Sequence, residues 1–166
     1  MKQCLHGDAG VSAKRELAEE VLRSFGRLRF AATGWSMLPT ILPGDTLVVE
    51  RISPDAFTVG DIALVGRDGK LCAHRVVSLP RTENRFWLTR GDAMLRPDRP
   101  VHDSELLGRV TEYVRAGKNI LVSKKLTMTG RVLAQIVMRS ELAARFFVSL
   151  SSRVRPQKES SLACQE

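Results

Sequence analysis

The apolar positions of this chain change their period twice. Between residues 12 and 25, Leu17, Val21, Leu22 and Phe25 recur at the three- and four-residue spacing of one helix face. Ser12 stands where an N-cap would accept backbone N–H groups, and Gly26 stands where a helix ends. The pattern therefore predicts an amphipathic helix over 12–25. From Leu28 onward, short runs of strand character take over, at 28–33, 46–51, 61–65, 71–78, 85–90, 107–114 and 119–123. Gly44-Asp45, Gly60-Asp61, Asp68-Gly69 and Gly91-Asp92 fall between them, because glycine and aspartate suit tight turns, and Asp68-Gly69 predicts a hairpin. Helical spacing returns over 128–150 through Val132, Leu133, Ile136, Val137 and Phe147. After Ser151 the residues are too polar to repay the entropy of ordering. The expected fold is mainly β with an N-terminal helix and a C-terminal amphipathic helix. Its divisions are a helical segment over 1–27, a β-rich domain over 28–123, a basic helix over 124–151 and a tail over 152–166.

Composition narrows this picture. With 166 residues, 43% hydrophobic and 27% charged, the chain can bury a core and is not a disordered polymer. The longest uncharged window, Phe30 to Gly44, contains Pro39 and Pro43 and falls short of the roughly 20 apolar residues of a membrane span. The first residues lack the apolar stretch of a secretory signal, so a cytoplasmic protein is expected. Cys4, Cys72 and Cys164 are odd in number and far apart, which offers no disulfide framework and no zinc knuckle. No metal or cofactor is expected, and Cys72 is read as a core residue.

The net charge of +8 is concentrated late in the chain. Residues 1–114 hold sixteen basic and fifteen acidic side chains, whereas 115–158 hold ten basic ones against Glu141 alone. Residues 128–158 could meet an anionic membrane surface, the competing reading being a solvated face on the chain's own domain. Nucleic acid is not expected as a partner, because only Phe146 and Phe147 interleave with that charge and they suit a buried helix face.

The chemistry-bearing segment is Gly34-Trp35-Ser36-Met37-Leu38-Pro39-Thr40, with Pro43-Gly44-Asp45 soon after. A serine attacks an amide only when a base takes its proton and donors hold the developing oxyanion. Among His6, His74 and His102, His74 lies inside a strand-like run, where alternation puts it on one face with Cys72 and Val76. With an ordinary pKa of about 6.5 it could accept a proton at neutral pH. Asp92 and Asp98 both follow the 85–90 run, and either could orient the ring. Each residue also has an ordinary reading: Ser36 as a turn or cap, His74 as a hydrogen-bonded strand residue, and the aspartates as turn chemistry.

Taken together, G-x-S-M-x-P-T at 34–40, Gly44-Asp45, Gly60-Asp61-Ile62, His74-Arg75-Val76-Val77, Thr89-x-Gly91-Asp92 and Leu107-Gly108-Arg109-Val110 resemble the type I signal peptidase superfamily, which includes the self-cleaving SOS repressors. A histidine stands where most bacterial members carry lysine, 38 residues after the serine, so the nearer likeness is to the archaeal and endoplasmic-reticulum branch. The resemblance implies a serine endopeptidase acting on a polypeptide substrate. Ser36 would be the nucleophile, His74 the general base, and Asp98 the orienting acid, with Asp92 the alternative. The chain departs from the pattern in three places. No membrane anchor is evident, which raises the alternative of a catalytically silent module that binds peptides or membrane surfaces. Gly34 replaces the serine that assists the oxyanion in many bacterial members. Only 35 residues precede Ser36, too few for a helix-turn-helix domain with its linker, so a repressor is not expected. Ala9-Gly10 resembles the bond that self-cleaving members cut.

Overall fold

The computed structural model describes residues 9–80 and 85–124. Among these residues one α-helix, α1 (Ala9–Phe25), precedes eight strands: β1 (Arg27–Ala31), β2 (Thr46–Glu50), β3 (Ile62–Arg67), β4 (Lys70–Ser78), β5 (Phe86–Arg90), β6 (Val101–His102), β7 (Leu106–Arg115) and β8 (Lys118–Leu121). The fold is mainly β, as its alternating pattern predicts. The expected helix over 128–150 and the tail over 152–166 lie outside the described residues.

The strands form an antiparallel sheet in the order β1-β2-β7-β3-β4-β5-β6. β7 is the hub. One of its edges pairs with β2, and the other is shared between β3 over 106–110 and β8 over 112–115. β3 is buried along nearly its whole length, and its alternation feeds two cores. Ile62 and Leu64 join Leu47, Val49, Val110 and Tyr113 beneath α1, while Ala63 and Val65 join Phe57, Val76, Trp87 and Val101 on the opposite side. In the second core, Phe57 and Trp87 meet edge to face at 5.8 Å.

Asp68 and Gly69 form the predicted hairpin, with φ of 49° and 69° between the paired residues Arg67 and Lys70. Positive φ at both central residues gives the turn whose twist matches that of the flanking strands. Two expectations for α1 need correction. The helix starts at Ala9, so Ser12 lies within it rather than capping it. Its buried face carries Ala18 and Leu22, while Leu17 and Phe25 are exposed. The period is right, but the inward stripe runs through Ala18 and Leu22 with Val21 half-buried, where Ala18 and Leu22 join the core beneath the helix. Its C-terminus does fall at Phe25, where the Gly26 N–H bonds the Leu22 carbonyl at 3.0 Å. Ala9-Gly10 is helical rather than extended.

Candidate active site

Ser36 opens the turn that follows β1. Several contacts hold this turn. The Ala93 N–H donates to the Ser36 carbonyl at 2.9 Å. Asp45 accepts the Leu42 N–H at 2.7 Å and two bonds from Arg115, whose Nη2 also donates to the Thr40 carbonyl at 3.0 Å. The Thr40 hydroxyl donates to Asp92 Oδ2 at 2.6 Å. Gly91 permits the first contact, since a Cβ there would lie 2.6 Å from the Ser36 carbonyl oxygen and 3.0 Å from its Cβ. The Gly-Asp dipeptide thus sets the approach of one loop to the serine in addition to making a turn.

His74 reaches the same point from β4. Its Nε2 lies 2.9 Å from Ser36 Oγ, and its Nδ1 lies 2.6 Å from Asp98 Oδ2. In the neutral ring, Nδ1–H donates to Asp98 and Nε2 accepts the serine proton. Asp98 is fixed in turn by Thr89, whose hydroxyl donates to Oδ2 at 2.7 Å and whose carbonyl accepts the Asp98 N–H at 2.8 Å. The structure therefore brings Ser36, His74 and Asp98 into one hydrogen-bonded chain.

Asp92 is placed elsewhere. Arg75 binds it with two parallel bonds of 2.8 and 2.7 Å, and both side chains are buried. Arg75 also donates to the Gly60 and Ser123 carbonyls. With one oxygen bound to Arg75 and the other to both Arg75 and Thr40, Asp92 ties the serine turn to β4 and makes no hydrogen bond with the His74 ring.

Cys72 is exposed, which corrects the expectation of a core residue, and its Sγ lies 4.0 Å from His74 Nδ1. It does share a face with His74 and the buried Val76. That face passes from the core at Val76, through the site at His74, to solvent at Cys72, because β4 runs out from under its neighbour. Among the described residues, β5 pairs with β4 only from Arg75 onward, so 70–74 bond to β3 on one edge alone.

Burial of the imidazole disfavours its charged form. The Asp98 hydrogen bond and the neighbouring Cys72 sulfur outweigh this, so the His74 pKa is pushed up to about 10. Burial likewise opposes the Asp98 carboxylate, but bonds from His74 and Thr89 hold it below the usual carboxylate range. Both shifts favour the imidazolium–carboxylate pair, against the ordinary histidine pKa of about 6.5 that the sequence suggests. A cavity of about 460 Å³ adjoins Ser36, lined by Phe30, Ala32, Met37, Leu71 and Ala73 among others.

A family model described as Peptidase S24-like matches residues 9–111, more than half of the chain. The chain belongs to this family. It is the grouping of the LexA and signal peptidase superfamily, and the matched span contains the helix, seven of the strands through most of β7, and the whole Ser36-His74-Asp98 chain. No curated protein matches the sequence. Within this Peptidase S24-like domain, sequence reasoning singled out the serine, the histidine and both aspartates but missed Arg115. Thr40, Arg75, Thr89 and Gly91 stood in the quoted motifs with no role in the site assigned. For Arg75 and Gly91, adjacency to His74 and Asp92 was the available signal. Among the described residues no group of His, Cys, Asp and Glu could hold a metal, and no helix is long and apolar enough to cross a membrane.

Proposed function

We propose that this protein is a serine endopeptidase resembling signal peptidase I, acting through Ser36, His74 and Asp98 on an extended polypeptide. The observation that carries this reading is the continuous hydrogen-bonded chain from Ser36 Oγ through both ring nitrogens to Asp98. His74 in its neutral form takes the Ser36 proton as Oγ attacks the peptide carbonyl. The imidazolium so formed is stabilised by Asp98 and then donates its proton to the leaving amine. A water molecule, deprotonated by His74, hydrolyses the resulting ester and frees Ser36. With Gly34 lacking a side chain, backbone N–H groups at Ser36 and Met37 are the donors available to the oxyanion. Neither makes a backbone hydrogen bond among the described residues.

Among the described residues, β1 and β4 over 70–74 each have an edge without a strand partner, and these edges flank the cavity beside Ser36. An extended substrate would bond these edges through its backbone and lower alternate side chains into the cavity. Small residues before the cut are the preference that the resemblance implies. The test is mass-spectrometric analysis of extended peptides and precursor proteins, with and without anionic vesicles, incubated with wild type, Ser36→Ala and His74→Ala. Cleavage at reproducible bonds by wild type alone supports the proposal. Peptide binding with no Ser36-dependent cleavage would establish instead the silent module of the same fold. The proposed membrane contact through 128–158 concerns residues outside those described, and vesicle binding that survives their removal would refute it.

A further inference from the structure

Asp98 lies in an irregular stretch, 96–100, between β5 and β6, yet its carboxylate must be placed to a fraction of an ångström to meet a ring nitrogen. On the N-terminal side, Thr89 holds its N–H and its Oδ2. On the C-terminal side the holding group is Arg67, the last residue of β3. Its Nη1 donates to the Arg99 carbonyl at 3.3 Å and its Nη2 to the Pro100 carbonyl at 2.5 Å. The same guanidinium is anchored by two bonds to Glu105, at 2.5 and 2.6 Å, and Glu105 also accepts the His102 N–H at 2.8 Å. Arg67 therefore spans the chain from the residue after Asp98 to Glu105.

We propose that Arg67 is a positioning residue: by gripping the Arg99 and Pro100 carbonyls from its anchor on Glu105, it holds Asp98 against Nδ1 of His74. A partly exposed ion pair on its own contributes little to stability. Arg67 differs from such a pair in that its remaining donors bind the backbone immediately beyond the catalytic carboxylate, and this bidentate geometry with free donors is particular to arginine. The inference rests on the serine peptidase reading only for its effect on rate. The placement of Asp98 can be read without any substrate.

The sign of the effect separates positioning from electrostatics. The ring of His74 is faced by Ser36, Asp98 and Cys72, and the neighbouring Arg75 is already paired with Asp92. The Arg67 charge helps keep Asp98 ionised. Removing that charge without moving the loop would leave the His74 pKa unchanged or raise it. Releasing Asp98 from the ring would lower it, because the imidazolium loses its acceptor.

The experiment is an NMR titration of the His74 ring in the full chain for wild type, Arg67→Met, Arg67→Lys and Asp98→Asn, the last marking a ring without its carboxylate. Arg67→Met is expected to move the His74 pKa toward the Asp98→Asn value by roughly one unit or more, a tenfold change in the protonation equilibrium. Arg67→Lys keeps the charge but not the fork and should fall between. Should Arg67→Met fail to fold, Arg67→Lys carries the test. Cleavage by the folded variant should show kcat reduced on the order of tenfold to a hundredfold with KM little changed. A His74 titration unchanged or raised in every folded Arg67 variant overturns the proposal. Absence of cleavage in wild type would count against the peptidase reading alone, since the titration still decides where Asp98 sits.

Discussion

Replacing Asp92 with alanine should damage the fold, whereas replacing Asp98 with asparagine should damage the chemistry. The two aspartates lie six residues apart, and the structure gives them opposite surroundings. The Arg75 and Asp92 side chains are 5% and 2% exposed, so the pair is out of water. Deleting Asp92 leaves a buried guanidinium with two of its bonded donors unmatched, a change that costs about 3–5 kcal/mol. Loss of the Thr40 hydroxyl contact adds about 1 kcal/mol. Set against a total stability of about 5–15 kcal/mol for an ordinary domain, this would leave a domain at the lower end barely folded. Asp98 is 28% exposed at the rim of the site, and the isosteric Asp98→Asn should shift the unfolding midpoint little. It should reduce the rate on the order of 10³- to 10⁴-fold by withdrawing the ring's acceptor. Urea unfolding followed by fluorescence of Trp35 and Trp87 reads the first effect, and an unchanged slope would confirm that stability alone has moved. A loss below about 1 kcal/mol in Asp92→Ala, together with full activity in Asp98→Asn, would refute the assignment of the two carboxylates.

Further outcomes follow from the same geometry. Because the His74 pKa is pushed up to about 10, kcat/KM should keep rising with pH above neutrality, and a plateau reached by pH 7 would contradict that. The stability linked to His74, a group with a raised folded pKa, should be complete below about 6.5 and fade as pH rises toward 10. The share linked to Asp98, whose folded pKa is lowered, should fade as pH falls below its unfolded value near 3.8; stability measured across this pH range checks both. Cys72→Ala should lower the His74 pKa by removing the sulfur beside Nδ1, which an NMR titration would show. Gly91→Ala should reduce kcat by about a hundredfold, since its methyl group would displace Ser36 from a contact at 2.6 Å, and wild-type rates in that variant would remove the close approach from the account.

What the sequence revealed, and what it withheld, have physical reasons. The strands could be read because alternation and turn residues are local signals, and the hairpin at Asp68-Gly69 depends on two adjacent residues. β6 escaped notice because two residues carry no period. Leu17 and Phe25 fit the helical spacing as well as Leu22 does, and only the meeting of Ala18 with the sheet fixes which stripe turns inward. Cys72 and Val76 share a face, yet one is exposed and the other buried, since exposure along β4 depends on where β5 stops pairing. Asp92 and Asp98 could not be ranked by a spacing that suits both. The decision lies in contacts across 17 and 24 residues, Arg75 with Asp92 and His74 with Asp98. The same long-range bond raises the histidine pKa, which is why its ordinary value was a poor guide.

The role proposed for His74 is to make Ser36 a nucleophile. Its most direct test is acylation by a small activated ester, which needs no knowledge of the natural substrate, followed by acid quench and site-resolved mass spectrometry of wild type, Ser36→Ala and His74→Ala. An acyl group should form on Ser36 in wild type, faster as pH rises, with little or none in His74→Ala. Acylation of Ser36 at equal rates in wild type and His74→Ala, or modification of other residues with Ser36 untouched, would contradict it.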